Sequence, residues 1–347
     1  MKNYNIEFGR RRKSNKNEKD RQNKMENATR TCLSILNSLK GINIMKKINM
    51  AKSCIVSAGL YASEATNYIS KTGLERLERI QRNFARQLLG ARRYAANETI
   101  LLDLGLMTIQ ASIDIRTINF RNNLENEKHS FMEKILSLNK QCNTKWNQRY
   151  LQILDKYSMI PTLSKTDIGK TELTPRDHIY QADSKKRMEI LEKEKYKTTK
   201  IYREINDNKP PQTIPQYLLL NGSRCWPIRC IFSLRAGANS TEANQFIRHL
   251  TENPECRHCG YQYADERHII EECPKFEIQR QQLKDQINKK ISTKIQNLTL
   301  TQIVLYSNNY ETMIKTENQE TQIKLDNYIK DYIITICQRA HISERLF

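Results

Sequence analysis

The sequence predicts a mainly α protein: a helical bundle, then a connector, then a small Cys/His module with flanking helices. Three observations carry that expectation. Between residues 27 and 130 apolar side chains recur at spacings of three and four, the helical period rather than the alternation of a strand. TGLERLERIQRNFARQLLG, residues 72–90, shows this most clearly and has a start and a stop signal. CRHCGYQYADERHIIEEC, residues 256–273, holds three cysteines and two histidines.

The bulk properties narrow the classes. A chain of 347 residues has room for two or three domains and a real core. Its 38% hydrophobic and 28% charged content fits neither a membrane protein nor a fully disordered one. No apolar run approaches the roughly 18 residues that span a bilayer. The opening MKNYNIEFGRRRK has no apolar h-region, so a nuclear or cytoplasmic location is expected rather than secretion. The net charge of +20 favours an anionic partner, RNA and/or DNA before an acidic membrane surface. Lysine is abundant alongside Asn and Ile, as AT-rich coding would produce, so arginine positions are the better guide. The nine cysteines are odd in number and scattered, which points to a reducing compartment and to clustered cysteines as metal ligands.

Residues 1–26 are polar, with the run Arg10-Arg11-Arg12-Lys13 and almost nothing to bury. They read as a disordered basic tail, the run being a nuclear localisation signal or a solvated linker. Residues 27–130 read as one helical domain. Leu33, Leu36, Leu39, Ile48, Ile55 and Leu60 mark a first helical stretch, broken near residues 40–42. In the next, Thr72 is the expected N-cap, Glu75 completes a capping box and Gly90 stands at C′. Leu74, Leu77, Ile80, Phe84 and Leu88 form its apolar face. ETILLDLGLMTIQASIDIRTINFRNNL then reads as a short helix, a turn at Gly105 and a longer helix. Residues 131–215 read as a connector, with helical pieces at 131–138 and 184–206 and loops at 161–175 and 209–215. Residues 216–347 hold the cysteine cluster, a polar helix with Leu283, Ile287 and Ile291, and a last amphipathic helix, LDNYIKDYIITICQRAHI.

Arg76, Arg79, Arg82 and Arg86 each follow one of Leu74, Leu77, Ile80 and Phe84 by two residues. Two residues turn a helix by about 200°, so these arginines lie opposite the apolar face. Two readings stand. One is a solvated face with Glu75–Arg79 and Glu78–Arg82 pairs. The other is a phosphate-facing stripe, because the guanidinium fork suits phosphate oxygens. With Arg92 and Arg93 just beyond Gly90, these are the candidate nucleic-acid contacts.

The spacing Cys256-x2-Cys259-x8-His268-x4-Cys273 fits one structural zinc ion. Cys-x2-Cys brings two thiolates to one ion through a tight turn, which Gly260 eases. His268 and Cys273, five apart, reach the same ion from a short helix or turn. Three thiolates and an imidazole close a tetrahedron and leave no position for an activated water. His258 is a rival ligand, but it lies between the first two cysteines. Cys225 and Cys230 read as small buried residues or free thiols. The YADE at 263–266 is one letter from a polymerase YADD, but its acids sit inside the metal loop, and no catalytic residue is assigned.

Two regions resemble one family. GLYASEATNYISKTGLERLERIQRNFARQLLGAR, residues 59–92, is similar to the segment after the polymerase palm in non-LTR (LINE-type) retrotransposon reverse transcriptases. Leu60, Tyr61, Ser63, Glu64, Leu77, Glu78, Gln81, Arg82, Arg86, Leu89 and Gly90 carry the match, while Thr66 stands where a tryptophan is usual. LLDLGLMTI, residues 101–109, fits the downstream pattern. Residues 233–280, SLRAGANSTEANQFIRH with CRHCG…DERHIIEECPKFEIQR, resemble the family's C-terminal CCHC zinc-binding segment. The resemblance covers about half the chain. It implies a thumb-like helical domain and a CCHC module that grip template–primer or target. No paired aspartates stand in a Y/F-x-D-D context, and only some sixty residues precede Gly59. The chain is therefore expected to bind rather than copy, beside a separately encoded or upstream polymerase portion. The competing expectation is a domesticated or degenerate remnant whose zinc module serves protein interaction or structure alone.

Overall fold

The computed structural model describes residues 2–38, 42, 44–64, 69–126, 130–159, 174–211, 214–219, 226–290, 295, 297–315 and 317–340, with side chains from Lys16 onward except at Asn37, Ser130 and Lys290. Among the described residues there are sixteen α-helices, joined by short 3-10 and π segments, and no strand. The expected mainly α class is what the chain adopts. No described helix is long and apolar enough to cross a membrane. The chain divides into two compact units, each gathered from separated stretches. The first comprises Met1–Leu39, Ile48–Phe84 and Leu106–Lys186; the second comprises Lys40–Lys47, Ala85–Gly105 and Arg187–Phe347.

In the first unit, the helix Lys2–Ser38 includes the basic segment expected as a tail and packs along the π segment Ala51–Val56 and the turn Ser57–Leu60. Met25 is fully buried there. Gly59 permits the approach: a Cβ on it would lie 2.7 Å from Met25 Sδ.

The helix Lys71–Leu89 begins slightly earlier than its sequence signals imply. Its cap is Ser70, not Thr72. The Ser70 hydroxyl oxygen accepts the Gly73 N–H at 2.9 Å, and its carbonyl accepts the Leu74 N–H at 2.8 Å. The acid of the cap is Glu18, 52 residues away, which accepts the Ser70 N–H at 2.8 Å and its hydroxyl at 2.6 Å. Glu18 thus does the work expected of a Glu at N3. Leu77, Ile80 and Phe84 are buried as the spacing implies, joined by Gln81, Ala85 and Leu89, while Leu74 and Leu88 are half-buried. Gly90 ends the helix at φ +61°, with its N–H on Gln87 O and the Ala91 N–H on Arg86 O, a Schellman closure.

Glu78 does not serve chiefly as a partner for Arg82. Its carboxylate accepts the Ile109 N–H at 2.6 Å at the start of the helix Ile109–Asn126. Asp183 holds Thr108 at the same end through its N–H and hydroxyl. A carboxylate suits the positive end of a helix. Ala111, Ile115, Ile118, Tyr150, Ile153, Leu154 and Ile179 then form this unit's apolar cluster.

The second unit is organised around buried polar groups. Asp103 accepts the hydroxyls of Tyr202 at 2.8 Å and Tyr217 at 2.6 Å. Arg235, fully buried, bonds Asp103 at 3.3 and 3.4 Å and donates to the carbonyls of Leu305 and Tyr306. Burial next to this carboxylate pushes both tyrosines well above their ordinary range. The helix Gln319–Arg339 buries Leu325, Ile329, Ile333 and Ile336, and it packs on the helices Glu277–Lys290 and Trp226–Arg235. Leu283 and Ile287 are buried as expected, while Cys225 and Ile291 lie outside the described residues.

Candidate metal centre

The Cys/His segment builds its site from two turns. Cys256 and Cys259 sit on a tight loop closed by Gly260 N–H to Cys256 O at 2.8 Å and Cys256 N–H to Tyr261 O at 2.7 Å. The backbone N–H groups of His258 and Cys259 turn toward the Cys256 sulfur. Gly260 stands at φ +73° with open space where a Cβ would go, so it is there for its backbone angle. The second turn is a π-helical segment, His268–Glu272. It closes with Cys273 N–H on His268 O at 2.7 Å, five residues back. That wider turn brings residues 268 and 273 to one side, which explains the x4 spacing.

Four ligand atoms converge. Cys259 Sγ lies 3.3 Å from His268 Nε2 and 4.0 Å from Cys273 Sγ, and Cys256 Sγ lies 3.9 Å from Cys273 Sγ. All four lie within 4.8 Å of one another. Donors at about 2.1–2.3 Å from a tetrahedral ion stand about 3.6–3.8 Å apart, so the set fits one metal ion. Cys256, His268 and Cys273 are buried and Cys259 is exposed. His258 is outside the set, its ring edge-on to Phe276 at 5.7 Å. Burial pushes the Cys256 thiol up and the Cys273 thiol to about 12. A cation acts the other way, because coordinated thiols are deprotonated; metal binding here therefore releases protons.

Residues around the ligands fix their orientation. Glu272 stands 3.4 Å from His268 Nδ1, the ring nitrogen turned away from the cysteines. Tyr261 stacks on the imidazole at 4.4 Å and 4°. The Asp265 carboxylate accepts the His268 N–H at 2.9 Å. Arg280, also buried, donates to Ile270 O at 3.1 Å and Cys273 O at 2.6 Å, and the Tyr332 hydroxyl bonds Ile270 O at 2.7 Å. Glu266 accepts from the side chains of Asn239 and Asn244, which ties the loop to the helix Glu242–Ile247. Its burial pushes that carboxyl up to about 7. Both acids of YADE thus hold the loop in shape. Sequence spacing picks out the four ligands but assigns no role to Asn239, Asn244, Glu266 or Arg280, because their partners are set by tertiary packing.

The chain matches no protein-family model, no curated protein and no solved structure.

The six candidate arginines have different surroundings. In the first unit Arg76 and Arg79 are exposed and Arg82 is half-buried. In the second, Arg93 is exposed, while Arg92 donates to the Ser240 hydroxyl. Arg86 faces inward on its own helix end, donating to Arg92 O at 2.7 Å, Ala95 O at 2.6 Å and Asn97 Oδ1 at 2.8 Å.

Proposed function

We propose that this chain binds nucleic acid and carries one structural zinc ion, as a binding portion of a non-LTR-type reverse transcriptase. The carrying observation is the convergence of three thiols and one imidazole at tetrahedral spacing in a chain of net charge +20. Three sulfur donors and one nitrogen suit zinc among the common divalent metals. The ligand set is closed, so the ion holds the loop rather than activating water. Exposed Arg76, Arg79 and Arg93 are cations available to phosphate. The resemblance of residues 59–92 and 233–280 supports the family reading. The copying chemistry belongs, in this reading, to a separate or upstream polymerase portion.

The test is zinc content measured together with salt-dependent RNA binding, on wild type and Cys259→Ser. One zinc per wild-type chain, lost in the variant with a matching fall in RNA affinity, is the expected result. The docking of the loop through Glu266, Asn239 and Asn244 favours a second reading, in which the module only maintains the fold or a protein contact. Zinc loss with unchanged RNA affinity would support that reading. Binding of RNA no tighter than by an unrelated protein of equal charge would overturn the first.

A further inference from the structure

The loop after Gly90 is built to present two side chains. Ala95 N–H bonds Arg92 O at 3.0 Å, closing a turn with Arg93 and Tyr94 at its tip. Arg86 braces the turn from within by donating to the carbonyls of Arg92 and Ala95. Arg93 is exposed, and Tyr94 is 42% exposed. Such a large aromatic left in solvent is informative when its position is fixed, and this one is fixed from a second stretch of chain. The Arg248 guanidinium lies 4.6 Å from the Tyr94 ring centre and is itself held by the carbonyls of Asn239 and Gly237.

Further positive charge gathers at the same place. Arg92 and Arg248 are close enough to repel each other. Arg229, exposed, lies across Gly90: a Cβ there would stand 2.0 Å from Arg229 Nε. Glycine at this position therefore serves two ends, the left-handed backbone of the helix stop and the seat of a guanidinium. Arg92 and Arg93 precede Tyr94 in sequence, Arg248 lies against its ring and Arg229 lies against Gly90, so three stretches of the second unit bring four arginines to this loop.

We propose that Arg93, Arg229 and Tyr94 form a binding site for single-stranded nucleic acid, with Arg248 and Arg92 as its supporting rim. Arginine forks take phosphate oxygens, and a base stacks on the tyrosine ring. A single strand fits better than a duplex because bases inside a duplex are stacked on their neighbours and offer no free face to Tyr94. The assignment rests on the nucleic-acid reading above and gives it a location and a strand type.

The experiment is fluorescence anisotropy on the full chain with a labelled oligouridine across a salt series. It compares wild type, Arg93→Glu/Arg229→Glu, Tyr94→Ala, Tyr94→Phe and a charge-matched control, Lys200→Glu/Lys324→Glu, at two exposed lysines. Zinc content and thermal melts verify that each variant is folded. The arginine pair should lose at least about tenfold in affinity and lower the salt slope by about 1.4, the share of two phosphates on a single strand. The control should lose less than threefold. Tyr94→Ala should lose about tenfold or more, the scale of one stacked base, while Tyr94→Phe keeps wild-type affinity. If the arginine pair matches the control, this site is wrong while nucleic-acid binding stands. Wild-type affinity in Tyr94→Ala overturns the stacking contact. Absence of salt-dependent binding by wild type overturns both this site and the function it rests on.

Discussion

The backbone N–H of Cys273 bonds the carbonyl of His268 at 2.7 Å, and this π-type closure sets two of the four ligands side by side. The outer nitrogen of His268 faces Glu272. A carboxylate in that place fixes the ring's tautomer and makes it a better donor. Glu272→Ala should weaken metal affinity at this site on the order of tenfold while leaving the fold intact. Competition against a chromophoric chelator would measure it, and unchanged affinity would show that Glu272 does not orient the ring.

Gly237 stands at φ +60°, and a Cβ on it would lie 1.6 Å from the Thr198 carbonyl oxygen. Neither backbone can give way cheaply. Gly237→Ala should cost about 3 kcal/mol or more, more than an ordinary surface change. Urea unfolding of purified protein would read it, and a shift within the ±0.5 kcal/mol of a neutral substitution would contradict it.

Arg235 and Asp103 form a buried ion pair with hydroxyl and carbonyl partners on every side. Removing one member leaves a charge without its counterion in the interior. Asp103→Ala should destabilise by about 3–5 kcal/mol. Replacing both with apolar residues should recover part of the loss, and a double-mutant cycle on urea midpoints would measure the coupling.

Glu311 gives a pH dependence with a definite sign. Burial raises its carboxyl from 4.5 to about 7, against the pull of Arg235. The folded chain therefore holds a proton there that the unfolded chain releases near 4.5. This contribution to stability is complete below about pH 4.5 and is lost as pH rises to about 7, a change of roughly 3 kcal/mol. Glu311→Gln cannot ionise, so its stability relative to wild type should rise over that window. Denaturation of both proteins at pH 5 and pH 7.5 would show it, and a constant difference would rule it out.

The parts of the fold legible in sequence are those whose partners are near in sequence. Leu77, Ile80 and Phe84 declare a helix because their contacts share one face, and Gly90 declares its end by its own backbone. The four ligands declare a site because they share one loop region. The cap at Ser70 is not legible in the local sequence, because its acid, Glu18, comes from another helix. Helix rotation places Arg86 opposite the apolar face, free for solvent or phosphate, but it turns inward because the chain folds back over the helix end. The roles of Arg235 and Glu266 are hidden from the sequence for the same reason: Arg235 donates to an acid 132 residues away, and Glu266 accepts from asparagines 22 and 27 residues away.

Arg121, Arg235 and Arg280 are among the largest fully buried side chains of the protein. Each is shut away from counter-ions, so mobile salt screens it far less than a surface cation. Among the described residues the buried acids Asp103, Asp114, Glu242, Glu266, Glu311 and Asp326 outnumber the buried arginines, so the positive excess lies at the surface, where salt reaches it. As ionic strength climbs, a bound polyanion should leave long before the helices loosen, and the resulting free protein should remain folded and competent to rebind once the salt is diluted.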